Sequence, residues 1–598
     1  MPDQTAQPGP SDGGGRPAWL TDDVLTAVAA IAEAHHQGRS APGLAYGITA
    51  GFALLRSGGF GSARAGGPPP DDSTVFRIAS MTKSFTASAV LALRDDGTLA
   101  LDDPAERYVP ELRGTSAATG DSPLISVRSL LTMTAGLPTD DPWGDRQQGM
   151  PPDEFSRLLA GGVRFAWAPG TRFEYANLGY AILGRVISGA SGSSYEYVVR
   201  DRLLAPLGMG STGFAAAEFD PDRLAAGYRR SGSGWQELEP DGHGAFAPMG
   251  GIFSTVADLA RWVAGFAAAF PPGGQADGGP HPLRRSSRRE MQLPQVALPP
   301  EQPPLPAGAA HGSYGFGLFV EEDAAHGRIV QHSGGYPGYG SHMRWHPATG
   351  LGVIVLANGT YAPAQALGAR MLDALLRRRP RAAAVTPALA AGGPWPETLA
   401  GQRAVTSLLQ SWDDAAASAL FTANVPLDEP YPDRRAKAEQ VRDRIGEFTT
   451  DAGRPAEHDS AAHCRWWLRG ERGTVQAEIR LTPHRRPLVQ QLVLAVPPAP
   501  GSALSRITGQ LIALLNDGAA SWPATLPAAA GLDTGSLIRR LRVAAAWAGH
   551  CTPGAFSAGD GSTSVAVELD GRSARLLLTV AADPERGELR DAEITLGG

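Results

Sequence analysis

Between Ala382 and Pro396 the chain is mostly Ala, Pro and Gly, and the sequence on its two sides follows different rules. A chain of 598 residues is too long for one ordinary hydrophobic core, so two to four domains are expected. This break sets the main boundary: a domain over residues 19–380, a linker over 381–397, then a tail. Residues 1–18 are rich in Gly, Pro and Ser, without a basic start and apolar core, and are read as a disordered leader rather than a secretory signal. No apolar run is long enough to span a membrane, and a formal charge of −7 disfavours a nucleic-acid surface. Two cysteines, Cys464 and Cys551, cannot build a disulfide framework. A soluble, cytoplasmic protein is the expectation.

Within 19–380 the periodicity predicts helices over Val24–His36, Phe85–Asp95, Val127–Met133, Leu178–Ala190, Tyr195–Leu204, Thr255–Phe266 and Ala364–Arg378. An alternating strand pair with a Gly turn is predicted over Gly43–Ser57. Further strands are expected at Tyr314–Val320, Arg328–His332, Gly340–His346 and Gly352–Asn358. Strands early and late with helices between them suggest one antiparallel sheet built from both ends of the segment. Pro271–Ala310 reads as a surface excursion. In the tail, Arg469–Val493 parallels Asp570–Ile594, and each follows an Arg-rich helical stretch. That weak repeat predicts two related α+β modules, 398–497 and 498–598, with no catalytic constellation in either. Packing, homo-oligomer contacts or shaping of substrate entry are the roles expected of them.

Arginine has displaced lysine nearly everywhere, leaving only Lys83 and Lys437. A guanidinium cannot give up its proton in a protein, whereas an amine can be tuned to do so. Lys83 follows Ser80 by three, in Ser80-Met81-Thr82-Lys83. At the start of a helix that spacing puts both side chains on one face, where the amine can take the hydroxyl proton. The helix N-terminus and the Ser80 N–H can then hold developing negative charge. Tyr175-Ala176-Asn177 supplies a phenol whose pKa an ammonium would lower, and an amide able to steady Lys83 or a substrate carbonyl. His332-Ser333-Gly334-Gly335 supplies a strand edge on which substrate can lie, with Gly335 N–H as second oxyanion donor and His332 facing the cleft.

Together these motifs resemble the serine β-lactamase and penicillin-binding-protein superfamily, in particular its class C β-lactamase-like serine hydrolases, esterases and D-aminopeptidases. Val75-Phe76-Arg77-Ile78-Ala79-Ser80, Leu130-Leu131-Thr132, Ala135-Gly136-Leu137-Pro138, Phe173–Asn177, Gly250–Thr255 and Leu356-Ala357-Asn358 carry the same resemblance. It implies an α+β, β-lactamase/transpeptidase-like fold: an antiparallel sheet flanked by helices plus a helical subdomain, here followed by the tandem tail modules. It also implies that Ser80 is the acylated nucleophile, Lys83 its activator, Tyr175 the proton relay and deacylation base, and Asn177 a positioner. His332 stands where relatives usually carry a Lys-Thr-Gly lysine. A largely neutral imidazole removes a permanent partner for a substrate carboxylate. Met133 and Ala135 depart from the His and Ser often found there and are expected to reshape the subdomain near the cleft.

The implied function is a cofactor-free serine hydrolase cleaving an ester or amide of a small-molecule or peptide acyl substrate. Alternatives are an acyltransferase or peptide cyclase passing the acyl group to an amine or alcohol, a β-lactamase, and a non-catalytic binding protein on the same fold. Substrate-binding candidates are Trp143, Ser333, Gly334, Tyr336 and Tyr339, the aromatics through an apolar acyl group. His326, His332, His342 and His346 lie close in sequence but lack a His-Glu-x-x-His spacing, so no metal site is expected.

Overall fold

The computed structural model describes residues 16–37, 40–51, 53–113, 115, 118–232, 234–270, 281–299, 309–323, 325–379, 393–458, 460–518, 521–572 and 574–596. Most of the expected leader and of the 381–397 linker lies outside them. The chain divides into two compact units, residues 1–385 and 386–598.

The first unit is built on an eight-stranded antiparallel sheet. Its strands are β1 (Gly43–Ala50), β2 (Ala53–Gly61), β3 (Val296–Ala297), β4 (Ala309–Tyr314), β5 (Phe319–Asp323), β6 (Gly327–Tyr336), β7 (Tyr339–His346) and β8 (Leu351–Ala357). Their order across the sheet is β2-β1-β8-β7-β6-β5-β4-β3. The early hairpin therefore joins the late strands through β1 and β8, with Leu44 opposite Ala357 and Ala50 opposite Leu351. Helices α1 (Asp22–Gln37) and α5 (Ala364–Arg377) cover one face. The other carries α4 (Val256–Ala267) and a helical region that includes α2 (Thr82–Asp95) and α3 (Asn177–Ser191).

Three expectations change. Residues Gly43–Ala50 do not alternate, because both faces of the sheet are covered and every residue of β1 is buried. The strand expected over Tyr314–Val320 is two strands joined by a tight turn, in which Gly317 takes φ +67°. The Pro271–Ala310 excursion, where described, holds the helix Arg285–Met291 and edge strand β3.

The second unit contains two hydrophobic clusters, each beneath its own four-stranded antiparallel sheet. One follows the helix Tyr431–Ile445 and runs Phe448–Thr450, His463–Gly470, Gly473–Leu481, Val489–Ala495. The other follows Thr534–Ala548 and runs Thr552–Ala558, Ser564–Asp570, Arg575–Asp583, Glu588–Leu596. Both sheets are meanders with strands in sequence order. The two thiols, Cys464 and Cys551, are buried and free, one in each cluster. Among the described residues no helix is long and apolar enough to cross a membrane.

Candidate active site

Ser80 sits in a single 3-10 turn, Ala79–Met81, that runs directly into α2 at Thr82, so it precedes the α-helix rather than opening it. Ala79 is held at φ +48°, a left-handed conformation that costs a non-glycine residue energy and needs support from its surroundings. That support is visible on both sides. Ile78 N–H donates to Ile252 O at 2.9 Å, and Ser341 Oγ donates to Ile78 O at 2.7 Å. A side chain at Gly334 would place its first carbon 2.2 Å from Ile78 O and 3.0 Å from the Ala79 methyl. Gly334 therefore acts by letting β6 lie directly against the Ser80 turn.

Lys83 is completely buried, with Nζ 2.9 Å from Ser80 Oγ. The same nitrogen donates to Asn177 Oδ1 and to the Met249 carbonyl, each at 2.8 Å. Among the described residues no carboxylate pairs with it directly. Burial pushes its pKa down to about 8, against the opposing pull of Asp141, Asp145 and Asp140. An amine in that range stays mostly protonated at neutral pH but keeps a minor neutral form, roughly a tenth at pH 7.

Tyr175 is carried on a loop gripped from both sides by one residue. Met133, at φ +59°, accepts from Glu174 N–H through its carbonyl at 2.8 Å, and from Ala176 N–H through Sδ at 3.4 Å. The Tyr175 ring stacks on Phe319 and lies 4.9 Å from Lys83 Nζ, with its phenol close to the Ser80 side chain. The lowered phenol pKa expected beside an ammonium is reversed. Burial first, and the Asp141 charge next, drive it well above the ordinary value, so the phenol keeps its proton.

His332 is 1% exposed and lies in an aromatic wall with Phe319 and Tyr314, and with Tyr175 beyond. Its Nδ1 is 2.6 Å from the carbonyl of Ser333, while Nε2 is buried without a partner. Burial, then the nearby Lys83, push its pKa down to about 3, so the ring is neutral. β5 pairs β6 only as far as Gln331, which leaves the edge from His332 to Gly335 without a strand on that side. Ser333 Oγ is turned toward His342 Nδ1, 2.9 Å away.

The structure does not gather all the proposed pocket aromatics. Tyr336 is 2% exposed, its ring beneath the Arg77 guanidinium and its hydroxyl on Asp241. Tyr339 is equally buried, donating to Ala225 O at 2.9 Å. The two are register partners across β6 and β7, so both rings lie on one face, toward Arg77 and Phe253 of the Phe76–Arg77 and Phe253–Ser254 strand pair. Trp143 is 43% exposed, edge-on to Phe246.

Sequence reasoning passed over the acids around Trp143. Asp140 accepts from the N–H groups of Asn177 and Leu178, at 2.6 and 2.8 Å, and so caps α3. Asp141 Oδ1 accepts from Asn177 Nδ2 at 2.7 Å. Asp145 is buried and accepts from Tyr361 Oη at 2.8 Å; burial lifts its pKa to about 6, helped by Asp141 and opposed by Tyr361 and Lys83. Tyr361, at φ +49°, lays its ring against Gly335. Three Asp within seven residues after Gly136-Leu137-Pro138 were the available signal. Gln148 is also buried, with neither end of its amide partnered.

Ser80, Lys83 and Tyr175 are thus gathered on a scaffold of the β-lactamase type. The Beta-lactamase family model matches residues 28–377, and the chain belongs to that family. Esterase EstB of Burkholderia gladioli is 32% identical over 340 residues, covering 51% of this chain and 82% of that protein. The D-alanyl-D-alanine-carboxypeptidase/endopeptidase AmpH of Escherichia coli (strain K12) is 26% identical over 293 residues, 48% of this chain and 71% of its own. Among solved structures, the octameric penicillin-binding protein homologue from Pyrococcus abyssi superposes with a TM-score of 0.51 over 96% of this chain and 98% of that one. At 18% identity that is a likeness of fold.

Proposed function

We propose that the chain is a serine hydrolase that acylates Ser80, acting on esters or amides that need no carboxylate beside the scissile bond. The observation that carries this reading is the buried Lys83 amine, pushed down to about 8 and standing 2.9 Å from Ser80 Oγ. In the neutral state Lys83 takes the Ser80 proton as Oγ bonds to the carbonyl carbon. The N–H groups of Ser80 and Gly335 hold the oxyanion. As the tetrahedral species collapses, the proton passes from Lys83, through the protonated Tyr175 phenol, to the leaving alkoxide or amine. Water then attacks the acyl-Ser80 ester, giving its proton to Tyr175 as the phenol passes its own to Lys83, and Lys83 returns that proton to Ser80 Oγ as the acid leaves.

The neutral His332 supports the substrate class. A site without a fixed cation at that position has nothing to repay a carboxylate for its lost water. The named activity of EstB, an esterase, fits that class, while AmpH, named a D-alanyl-D-alanine-carboxypeptidase, supports acyl transfer but not that class. A fluorophosphonate probe and p-nitrophenyl acetate test the reading. Wild-type protein should be labelled once per chain and turn over the ester, while Ser80→Ala should lose the label and roughly 10⁴-fold or more of the turnover. A folded wild-type protein that resists labelling would overturn it.

A further inference from the structure

A neutral lysine amine has two hydrogens and one lone pair, so its three neighbours decide where the lone pair points. Around Lys83 Nζ those neighbours are the Met249 carbonyl, the Asn177 side chain and Ser80 Oγ. A carbonyl can only accept, so Met249 consumes one hydrogen. Asn177 is ambiguous in itself, because its amide offers an acceptor at one end and donors at the other.

The far end of that amide removes the ambiguity. Asn177 Nδ2 is 2.7 Å from Asp141 Oδ1, and a carboxylate can only accept. Turning the amide over would set its oxygen against the Asp141 oxygen and its NH₂ against the Lys83 amine. Solvent cannot repair those contacts, since Asn177 is fully buried. Gly144 closes the remaining space, for a side chain there would come within 3.0 Å of Asn177 Cβ and 3.2 Å of Nδ2. Asp141 begins a single helical turn, Asp141–Gly144, and the preceding Asp140 binds the first N–H groups of α3, so the acid and the amide are tied to one point.

We infer that Asp141 is a positioning residue for acylation: by accepting the Asn177 Nδ2 hydrogen it fixes the amide with Oδ1 toward Lys83, which leaves the amine lone pair for the Ser80 proton. The inference rests on the Ser80 acylation reading and adds a residue to it. With Asn177 and Met249 holding both hydrogens of the neutral amine, the lone pair has one neighbour left, the nucleophile. Asp141 also heads the charges that favour the protonated amine, followed by Asp145 and Asp140. The rings of Tyr175 and Tyr180 and the neutral His332 complete the surroundings of Lys83.

The test is the pH dependence of kcat/KM for p-nitrophenyl acetate in Asp141→Asn and Asp141→Glu, with fluorophosphonate labelling in parallel. Asparagine can offer either end to Asn177, so the lock is lost along with the charge. Asp141→Asn is expected to lower kcat/KM by about 10–100-fold. Its acid limb should move to lower pH, because removing a negative neighbour makes the amine easier to deprotonate. Asp141→Glu, which keeps an acceptor-only carboxylate, should recover much of the rate and leave the limb in place. If Asp141→Asn does not fold, Asp141→Ser carries the same expectation. A labelled, active wild type whose Asp141→Asn variant keeps both rate and limb overturns the positioning role alone. So does an Asp141→Glu variant no better than Asp141→Asn. An unlabelled wild type overturns the acylation reading instead.

Discussion

The only two lysines in the chain occupy opposite circumstances. Lys437, in the second unit, is half exposed and pairs with Glu429 at 2.5 Å, beside Arg434 on the same carboxylate. It lines a cavity of about 1030 Å³ between the two sheets of that unit. No buried side-chain atom lining that cavity lacks a partner: Arg444 binds the carbonyls of Pro497 and Asp560, and Trp412 donates to Asp414. Lys83 is fully buried, carries no direct ion pair, and has as neighbours a protonated phenol, a neutral imidazole and a carboxyl lifted to about 6. A large cavity therefore does not by itself mark a reactive site. Unpaid desolvation does, since groups kept out of water without full compensation must be held by something other than stability.

The sharpest way to break this contrast is Lys83→Arg. It keeps charge and abolishes the removable proton, so turnover of p-nitrophenyl acetate should fall by about 10³-fold, close to Lys83→Ala. Retained activity would place Lys83 in the same category as Lys437. Next in size is the pH profile. Below pH 8 the reactive amine is the minor form, so kcat/KM should fall about tenfold per pH unit on the acid side and level off above it. A flat profile from pH 6 to 9 would remove the amine from the proton transfer.

A smaller effect concerns stability. Asp145 is raised in the folded state above the ordinary carboxyl value, so its contribution is most favourable at low pH and is lost as pH climbs from about 4 through 6. Asp145→Asn, which can still accept from Tyr361, should therefore stabilise the protein at pH 8 by roughly 1–3 kcal/mol, with the difference fading below pH 4. Urea melts at the two pH values measure it. The smallest effect is Lys437→Arg, which should leave turnover unchanged within experimental error and preserve the pair with Glu429.

The β-lactamase fold was legible because its strands and helices carry strong periodicity and its landmarks keep their spacing. Ser80, Lys83, Tyr175 and Asn177 could be put forward because their side chains are chemically distinctive, and the structure sets Ser80 and Asn177 on Lys83 Nζ with the Tyr175 ring beside it. Asp141 was not, since an acid in a loop looks like a solvated charge until a fold sets it against an amide. The Met249 contribution is a backbone carbonyl and leaves no mark in the letters. Tyr336 and Tyr339 misled for the converse reason. Aromatics near a reactive strand read as pocket walls, and here they are buried, Tyr336 under Arg77 and on Asp241, Tyr339 on the Ala225 carbonyl. The Tyr175 phenol was misjudged in sign because an attractive cation is easy to see in a sequence and burial is not.

The join between β1 and β8 has a consequence for how the molecule comes into being. Gly43 N–H binds the Asn358 side chain at 2.6 Å, across 315 positions of chain. At about 5–20 residues per second, a ribosome making this protein would expose the first hairpin roughly 15–60 s before its partner strand emerges. Throughout that interval an apolar strand waits with one edge open, which makes the newborn chain, rather than the finished protein, the form most in need of a chaperone.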